Sequence, residues 1–364
     1  MNNNQNILSK DDSLILRGVA IVFIVLHNFL HIAMFHLPEE NEMSFSAEKA
    51  NAFFDSLSGL GGSFGGFISH LGWIGVPVFV FLTGYGIALK EPPTSNRTVW
   101  AFVKRNYIKL FALMLPAILF FACGDVLRGD IWPDMLKRAS YLSMLANFVY
   151  PWVYCLPGVY WYFGFTFQFY LLWALFGRRF NGKNLLIWSV VFIIGLFFFV
   201  SYGSENALSV FRHCFTGWFP VFAVGVWMGL NKMNSTAKWG GGTRSVWIEL
   251  LLMVLLLGLV LLMSKWFVTW LFLPLVALVW FFVMGLLLMR TRYLSVAFRW
   301  VGKYAACLFV CHPIARSVLL RFVYTRYPNL WANVAIYFVL CLAFAIIYNV
   351  VYRWIMSRMM SKTN

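Results

Sequence analysis

Apolar positions along this chain fall in long uninterrupted blocks, not in the alternation of a half-buried strand. Ten such blocks run at about 14–36, 71–89, 107–123, 158–177, 184–202, 213–231, 246–264, 266–289, 300–320 and 330–352. Each is long enough to cross a hydrocarbon core about 30 Å thick as a helix. The clearest are Trp266–Met289 and Leu330–Tyr352, which contain no charged residue. The pattern predicts an all-α, polytopic membrane bundle of about ten transmembrane helices. It forms a single membrane domain over 1–364, with a polar tail at 1–12 and outer loops at about 37–70 and 124–157. The apolar segment 139–157 is broken by Pro151 and Pro157, so it is expected outside the bilayer or as a re-entrant piece. No small-residue cleavage site follows the first block, and the first span is expected to stay in the mature protein.

Composition agrees with a bilayer as solvent. Of 364 residues, 61% are hydrophobic and 12% charged, with a mean hydropathy of +0.75. A soluble chain of this length could not hide so much apolar surface. The formal charge of +16 invites a nucleic-acid reading, but the basic residues are scattered between apolar blocks and sort by side. Lys90, Arg97, Lys104, Arg105 and Lys109 mark one inner loop, and Arg178, Arg179 and Lys183 the next. Arg290, Arg292, Arg299 and Lys303 mark a third, and Arg353, Arg358 and Lys362 follow the last block. Acids gather in the alternate loops: Glu39, Glu40, Glu42, Glu48 and Asp55, then Asp125, Asp130 and Asp134. The positive-inside rule then places both termini in the cytoplasm of a multi-pass protein of the cell (inner) membrane, with lipid and no nucleic acid as partner. The six Cys lack metal-ligand spacing and read as small buried hydrophobes; no metal site is expected.

Candidate chemistry lies inside the spans. Arg17 and His27 sit in the first block, where an ionisable side chain costs about 2.5 to 3.5 kcal/mol at a helix centre. His31 follows His27 by one helical turn, so the two imidazoles share a face. His27 lies ten residues beyond Arg17, or about 15 Å along a helix. His312 lies nine residues beyond Lys303 in a span of the same direction, and so reaches a similar depth.

Five motifs in order carry a family resemblance. Leu16-Arg17-Gly18-Val19-Ala20-Ile21, running on to Val25-Leu26-His27, resembles the first-span motif of the acyltransferase-3 family of membrane acyltransferases. The run from Gly72-Trp73-Ile74-Gly75-Val76-Pro77 to Leu82-Thr83-Gly84-Tyr85 resembles its second-span motif, with Thr83 where Ser is usual. Phe102 to Arg105, with Leu110 and Pro116, is similar to its basic third-span entry. Trp161 and Gln168-Phe169-Tyr170-Leu171-Leu172-Trp173 are similar to its fourth-span block. Val301-Gly302-Lys303-Tyr304 and Leu308-Phe309-Val310-Cys311-His312-Pro313 resemble its late block. Two departures stand out. Only nine residues separate Arg17 from His27, one fewer than the family usually has, which leaves them about 80° apart on a helix. Asn28 holds the position in register. A bulge could restore the facing, or His31 could share the role. The family's acidic pair before the fourth-span Gln is Thr166-Phe167 here, so acid–base work by those carboxylates is not carried over.

The resemblance implies transfer of an acyl group, usually acetyl, from cytoplasmic acyl-CoA to a hydroxyl of an extracytoplasmic or lipid-linked glycan. Acyl-CoA would be a co-substrate, with no bound cofactor. His27 or His312 would be the base, as imidazole chemistry near neutral pH suits. His31, Tyr85 and Gln168 could support catalysis, the last two as oxyanion donors. Arg17, Lys104 and Arg105 could hold the phosphates of CoA. The thioester would enter from the cytoplasm between the first, second and ninth spans, and an acyl-histidine relay is the variant to direct transfer. Outside, the Gly-rich Ser58–Gly66 reads as a flexible or re-entrant linker. Trp132, Tyr141, Tyr150, Trp152, Tyr154 and Tyr160 read as an interfacial aromatic belt that could also stack on sugars. The alternative is a transporter or proton-coupled permease using the histidines and Glu249 as a relay. Against it, the chain shows no internal repeat of the transporter kind.

Overall fold

The computed structural model describes residues 8–33, 39–57, 63–91, 98–128, 135–150, 152–154, 156–231, 245–322 and 329–360, and among these there is no strand. The helices are α1 (Lys10–Ala33), α2 (Ala47–Leu57), α3 (Ser63–Leu71), α4 (Val76–Lys90), α5 (Val99–Arg128), α6 (Met135–Leu142), α7 (Trp161–Phe176) and α8 (Gly182–Tyr202). They continue with α9 (Glu205–His213), α10 (Phe219–Leu230), α11 (Val246–Lys265), α12 (Phe267–Trp270), α13 (Leu273–Arg290), α14 (Arg292–Lys303), α15 (Ala305–Phe322) and α16 (Leu330–Met360).

The expected all-helical membrane architecture is present, and the described residues support seven to nine of the about ten spans expected. Among the described residues seven helices are long and apolar enough to cross a bilayer, and up to nine if two sharply bent pairs, Glu205–His213 with Phe215–Leu230 and Arg292–Lys303 with Ala305–Leu320, each count as one. The block at 158–177 makes only the 16-residue α7 between short 3₁₀ turns, about 24 Å of α-helix. Apolar length alone cannot show where a helix breaks. The outer segment expected at 37–70 contains α2 and α3. Ser58–Gly66 is not simply a linker: 58–62 lie outside the described residues, and 63–66 open α3.

The chain falls into two compact units. The first comprises Met1–Thr94, Arg179–Gly203 and Trp218–Ala305; the second comprises Ser95–Arg178, Ser204–Gly217 and Ala306–Asn364. In the first, α1 begins with reciprocal capping: Asp12 N donates to Ser9 Oγ at 3.1 Å, and Ser9 N to Asp12 Oδ2 at 2.8 Å. Pro77, Pro220 and Pro274 stand in the first turns of α4, α10 and α13, where a missing N–H breaks no helical bond. Small residues then let backbones touch, the packing that drives helix association in lipid. A Cβ on Gly18 would overlap the Phe298 carbonyl of α14, and one on Gly302 would overlap that of Leu14. Likewise Gly84 abuts the Phe222 carbonyl on α10, and Gly225 that of Phe81 on α4. Within the apolar windows of α1 and of the run Phe64–Lys90, 67% and 83% of positions are buried, against 11% for α8 and 17% for α11. The polar residues of α1 and α3 are therefore read by protein, while α8 and α11 turn apolar side chains outward.

In the second unit, α5 carries Pro116 in its interior, which interrupts the local hydrogen-bond ladder. Tyr348 of α16 fills in: its hydroxyl donates to Leu113 O at 2.6 Å and accepts from Ala117 N at 3.2 Å. Tyr160 donates to Val310 O at 2.8 Å, tying the start of α7 to α15. Asn147 is 1% exposed and donates to both Trp161 O (2.8 Å) and His213 O (2.6 Å). Gly164 leaves room for it, since a Cβ there would lie 2.5 Å from Asn147 Oδ1.

Candidate functional site

The first unit builds a polar cluster around the C-terminal part of α1. His27 and His31 stack on one face, ring centroids 5.7 Å apart and planes 17° apart. Helix α1 is continuous from Lys10 to Ala33, with no bulge to rotate Arg17 toward His27, so the two stay about 80° apart. Asn28 turns its amide back to Ile24 O at 2.9 Å. Arg17 is half-buried nearly three turns earlier.

His27 is 4% exposed, and its Nδ1 lies 3.0 Å from Ile68 O. A carbonyl oxygen can only accept, so Nδ1 carries the hydrogen and the neutral ring keeps its lone pair on Nε2. The contact depends on Gly72: a Cβ there would stand 2.5 Å from His27 Cβ. Thus Ile68 and Gly72, one turn apart, both face His27. His31 Nε2 is 3.1 Å from Glu40 Oε2. His70 is fully buried, stacked on Phe53 at 4.4 Å, with Nδ1 2.7 Å from Glu39 O. The same Glu39 pairs with Lys49 at 2.8 Å, and that ammonium holds its carboxyl below the usual carboxylate range.

Sequence reasoning missed Ser69, His70 and Trp73 as polar groups of this cluster. All three are at most 1% exposed, and Ser69 Oγ, His70 Nε2 and Trp73 Nε1 have no hydrogen-bond partner among the described residues. The available signal was Ser-His entering an apolar block, but Ser69 and His70 fell at the end of an expected outer loop.

Tyr85 takes no part in this cluster. Its hydroxyl accepts from Leu8 N at 3.1 Å and faces Leu8 O at 3.4 Å, just before the start of α1 and at the opposite end of that helix from His27. Glu249 is 5% exposed and held in a two-point ion pair by Arg290, at 2.6 and 2.8 Å. That arrangement gives no support to a relay role.

The second unit holds His312, fully buried, with Nδ1 3.2 Å from Leu308 O and its own carbonyl accepting from Tyr337 at 3.2 Å. His213, which sequence reasoning also passed over, is 2% exposed with Nδ1 2.7 Å from Ser209 O. Gln168 accepts from Phe215 N at 2.9 Å, and its amide nitrogen lies 3.6 Å from Cys214 Sγ. Lys104 is exposed and Arg105 half-buried on α5. The aromatic belt reading is corrected for two members. Tyr141 and Tyr160 are buried and donate to Val153 O and Val310 O. Tyr150 and Tyr154 are exposed and meet edge to face at 5.8 Å, Trp152 is half-buried, and Trp132 lies outside the described residues. Cys214, Cys307, Cys311 and Cys341 are buried free thiols as expected, whereas Cys123 is exposed and Cys155 lies outside the described residues.

A family model described as an acyltransferase domain (acyltransferase-3) matches residues 14–350. No curated protein and no solved structure matches the chain.

Proposed function

Because this chain belongs to the acyltransferase-3 family, and is a multi-pass membrane acyltransferase, we propose that it moves an acetyl group from cytoplasmic acetyl-CoA to a hydroxyl of an extracytoplasmic or lipid-linked glycan, in the cell (inner) membrane. The observation that supports this reading is the state of His27. It is a buried imidazole whose Nδ1–H is committed to Ile68 O, leaving Nε2 as a base. An alcohol attacking a thioester needs such a base, worth roughly 10²- to 10⁴-fold in rate. In direct transfer, His27 Nε2 takes the acceptor's proton as the oxygen bonds to the acyl carbon, and the thiolate of CoA leaves with that proton.

His31 and its partner Glu40 set the electrostatics beside His27. Arg17, Lys104 and Arg105 are the cations proposed for the phosphates of the donor, where charge-assisted bonds are strong. His312 is the second candidate base. The test is CoA-thiol release from acetyl-CoA in membranes carrying His27→Ala, His312→Ala or Arg17→Ala. His27→Ala should lose at least about 100-fold in kcat, and Arg17→Ala should chiefly raise the KM for acetyl-CoA. Wild-type turnover in His27→Ala with loss only in His312→Ala would move the base to His312, and turnover in both would end the acid–base assignment. Mass spectrometry of surface glycans with and without the gene would name the acceptor.

A further inference from the structure

The two side chains first expected to steady the oxyanion are otherwise engaged: Tyr85 with Leu8, Gln168 with Phe215 and Cys214. A different pair adjoins the residues that hold His27. The turn Ile68–Trp73 presents the Ile68 carbonyl and Gly72 directly to that imidazole. Ser69, in the last turn of α3, and Trp73, in the 3₁₀ turn Gly72–Gly75, each stand one residue further on. Both are at most 1% exposed, and Ser69 Oγ and Trp73 Nε1 have no hydrogen-bond partner among the described residues. Trp73 packs edge-on against Trp218 at 6.2 Å, which fixes its ring. An indole N–H can only donate, and a hydroxyl can donate as well. Leaving such donors unbonded in hydrocarbon costs several kcal/mol each, so their retention one residue from the contacts that hold His27 points to a substrate oxygen.

We propose that Ser69 Oγ–H and Trp73 Nε1–H receive the carbonyl oxygen of the acyl thioester and stabilise the oxyanion that forms there. This rests on the reading of His27 as base. The acceptor oxygen bonds to the carbonyl carbon, its proton passes to His27 Nε2, and the carbonyl electron pair moves onto the oxygen held by the two donors. Collapse expels the CoA thiolate, which takes the proton from His27, so alcohol plus thioester become ester plus thiol.

Trp73→Phe deletes the indole N–H together with part of the buried ring, and Ser69→Ala deletes the hydroxyl alone. With acetyl-CoA as donor and octyl β-glucoside as acceptor, each should lower kcat by about 10²-fold, the scale for losing one oxyanion donor, while the KM for acetyl-CoA moves less than about threefold. Thermal unfolding of Ser69→Ala should stay level or rise, because an unpaired buried polar group has been removed, whereas Trp73→Phe also opens a cavity and is read by kcat and KM alone. Wild-type kcat in both variants, with His27→Ala inactive, overturns the donor assignment and leaves the base intact. Loss of kcat matched by a fall in unfolding temperature in Ser69→Ala also overturns it, since the hydroxyl would then be structural. An active His27→Ala overturns the underlying reading itself.

Discussion

Gly72→Ala isolates the placement of His27 from its chemistry. The added methyl carbon would lie 2.5 Å from His27 Cβ and 3.1 Å from Phe23 O, both on α1. Ordinary contact begins at 3.4 Å, so α1 and the turn after α3 must part by about 0.9 Å. That separation falls on the hydrogen bond from His27 Nδ1 to Ile68 O, now 3.0 Å. Stretching it frees the ring to turn and to exchange tautomers. Overpacking of this kind costs about 1 to 3 kcal/mol of stability. A catalytic group displaced by about 1 Å can lose about 10²-fold in rate. Gly86→Ala is the matched control on α4, because a Cβ there meets nothing within 4 Å, and helix propensity alone should stabilise it by up to about 1 kcal/mol. The assay is kcat for CoA-thiol release together with thermal unfolding in detergent. Wild-type kcat in Gly72→Ala would refute the claim that this glycine seats the base.

Tyr348→Phe should strand Leu113 O and Ala117 N beside Pro116 and lower stability by about 1 to 3 kcal/mol, read as an earlier unfolding midpoint. Tyr85→Phe removes a hydroxyl spent on Leu8, so kcat should stay within about twofold of wild type while the N-terminal end of α1 becomes more open to protease; a large kcat loss would return Tyr85 to the chemistry. Glu249→Gln breaks a two-point pair with Arg290 and should lower the unfolding midpoint without changing the pH profile of acyl transfer, whereas a shifted profile would reinstate it as a proton carrier.

Helix positions and family were legible in the sequence because bilayer thickness and the cost of buried charge both write themselves into composition. Each expected block from 14–36 to 330–352 holds at least one helix. What was not legible were breaks inside apolar runs, such as that between Lys303 and Ala305, since hydropathy is blind to direction. His27 was found because an imidazole in a span is conspicuous. Its companions were not, because Ser69 and Trp73 are ordinary in such segments and only burial without a partner distinguishes them. The one-residue shortening between Arg17 and His27 raised a question that only the uninterrupted α1 answers.

His27, His70, His213 and His312 each give Nδ1–H to a main-chain carbonyl, those of Ile68, Glu39, Ser209 and Leu308. A carboxylate would orient an imidazole equally well, but it would import a permanent negative charge into oil. By using peptide dipoles instead, the protein orients these four rings through its own backbone and adds no charge to do so.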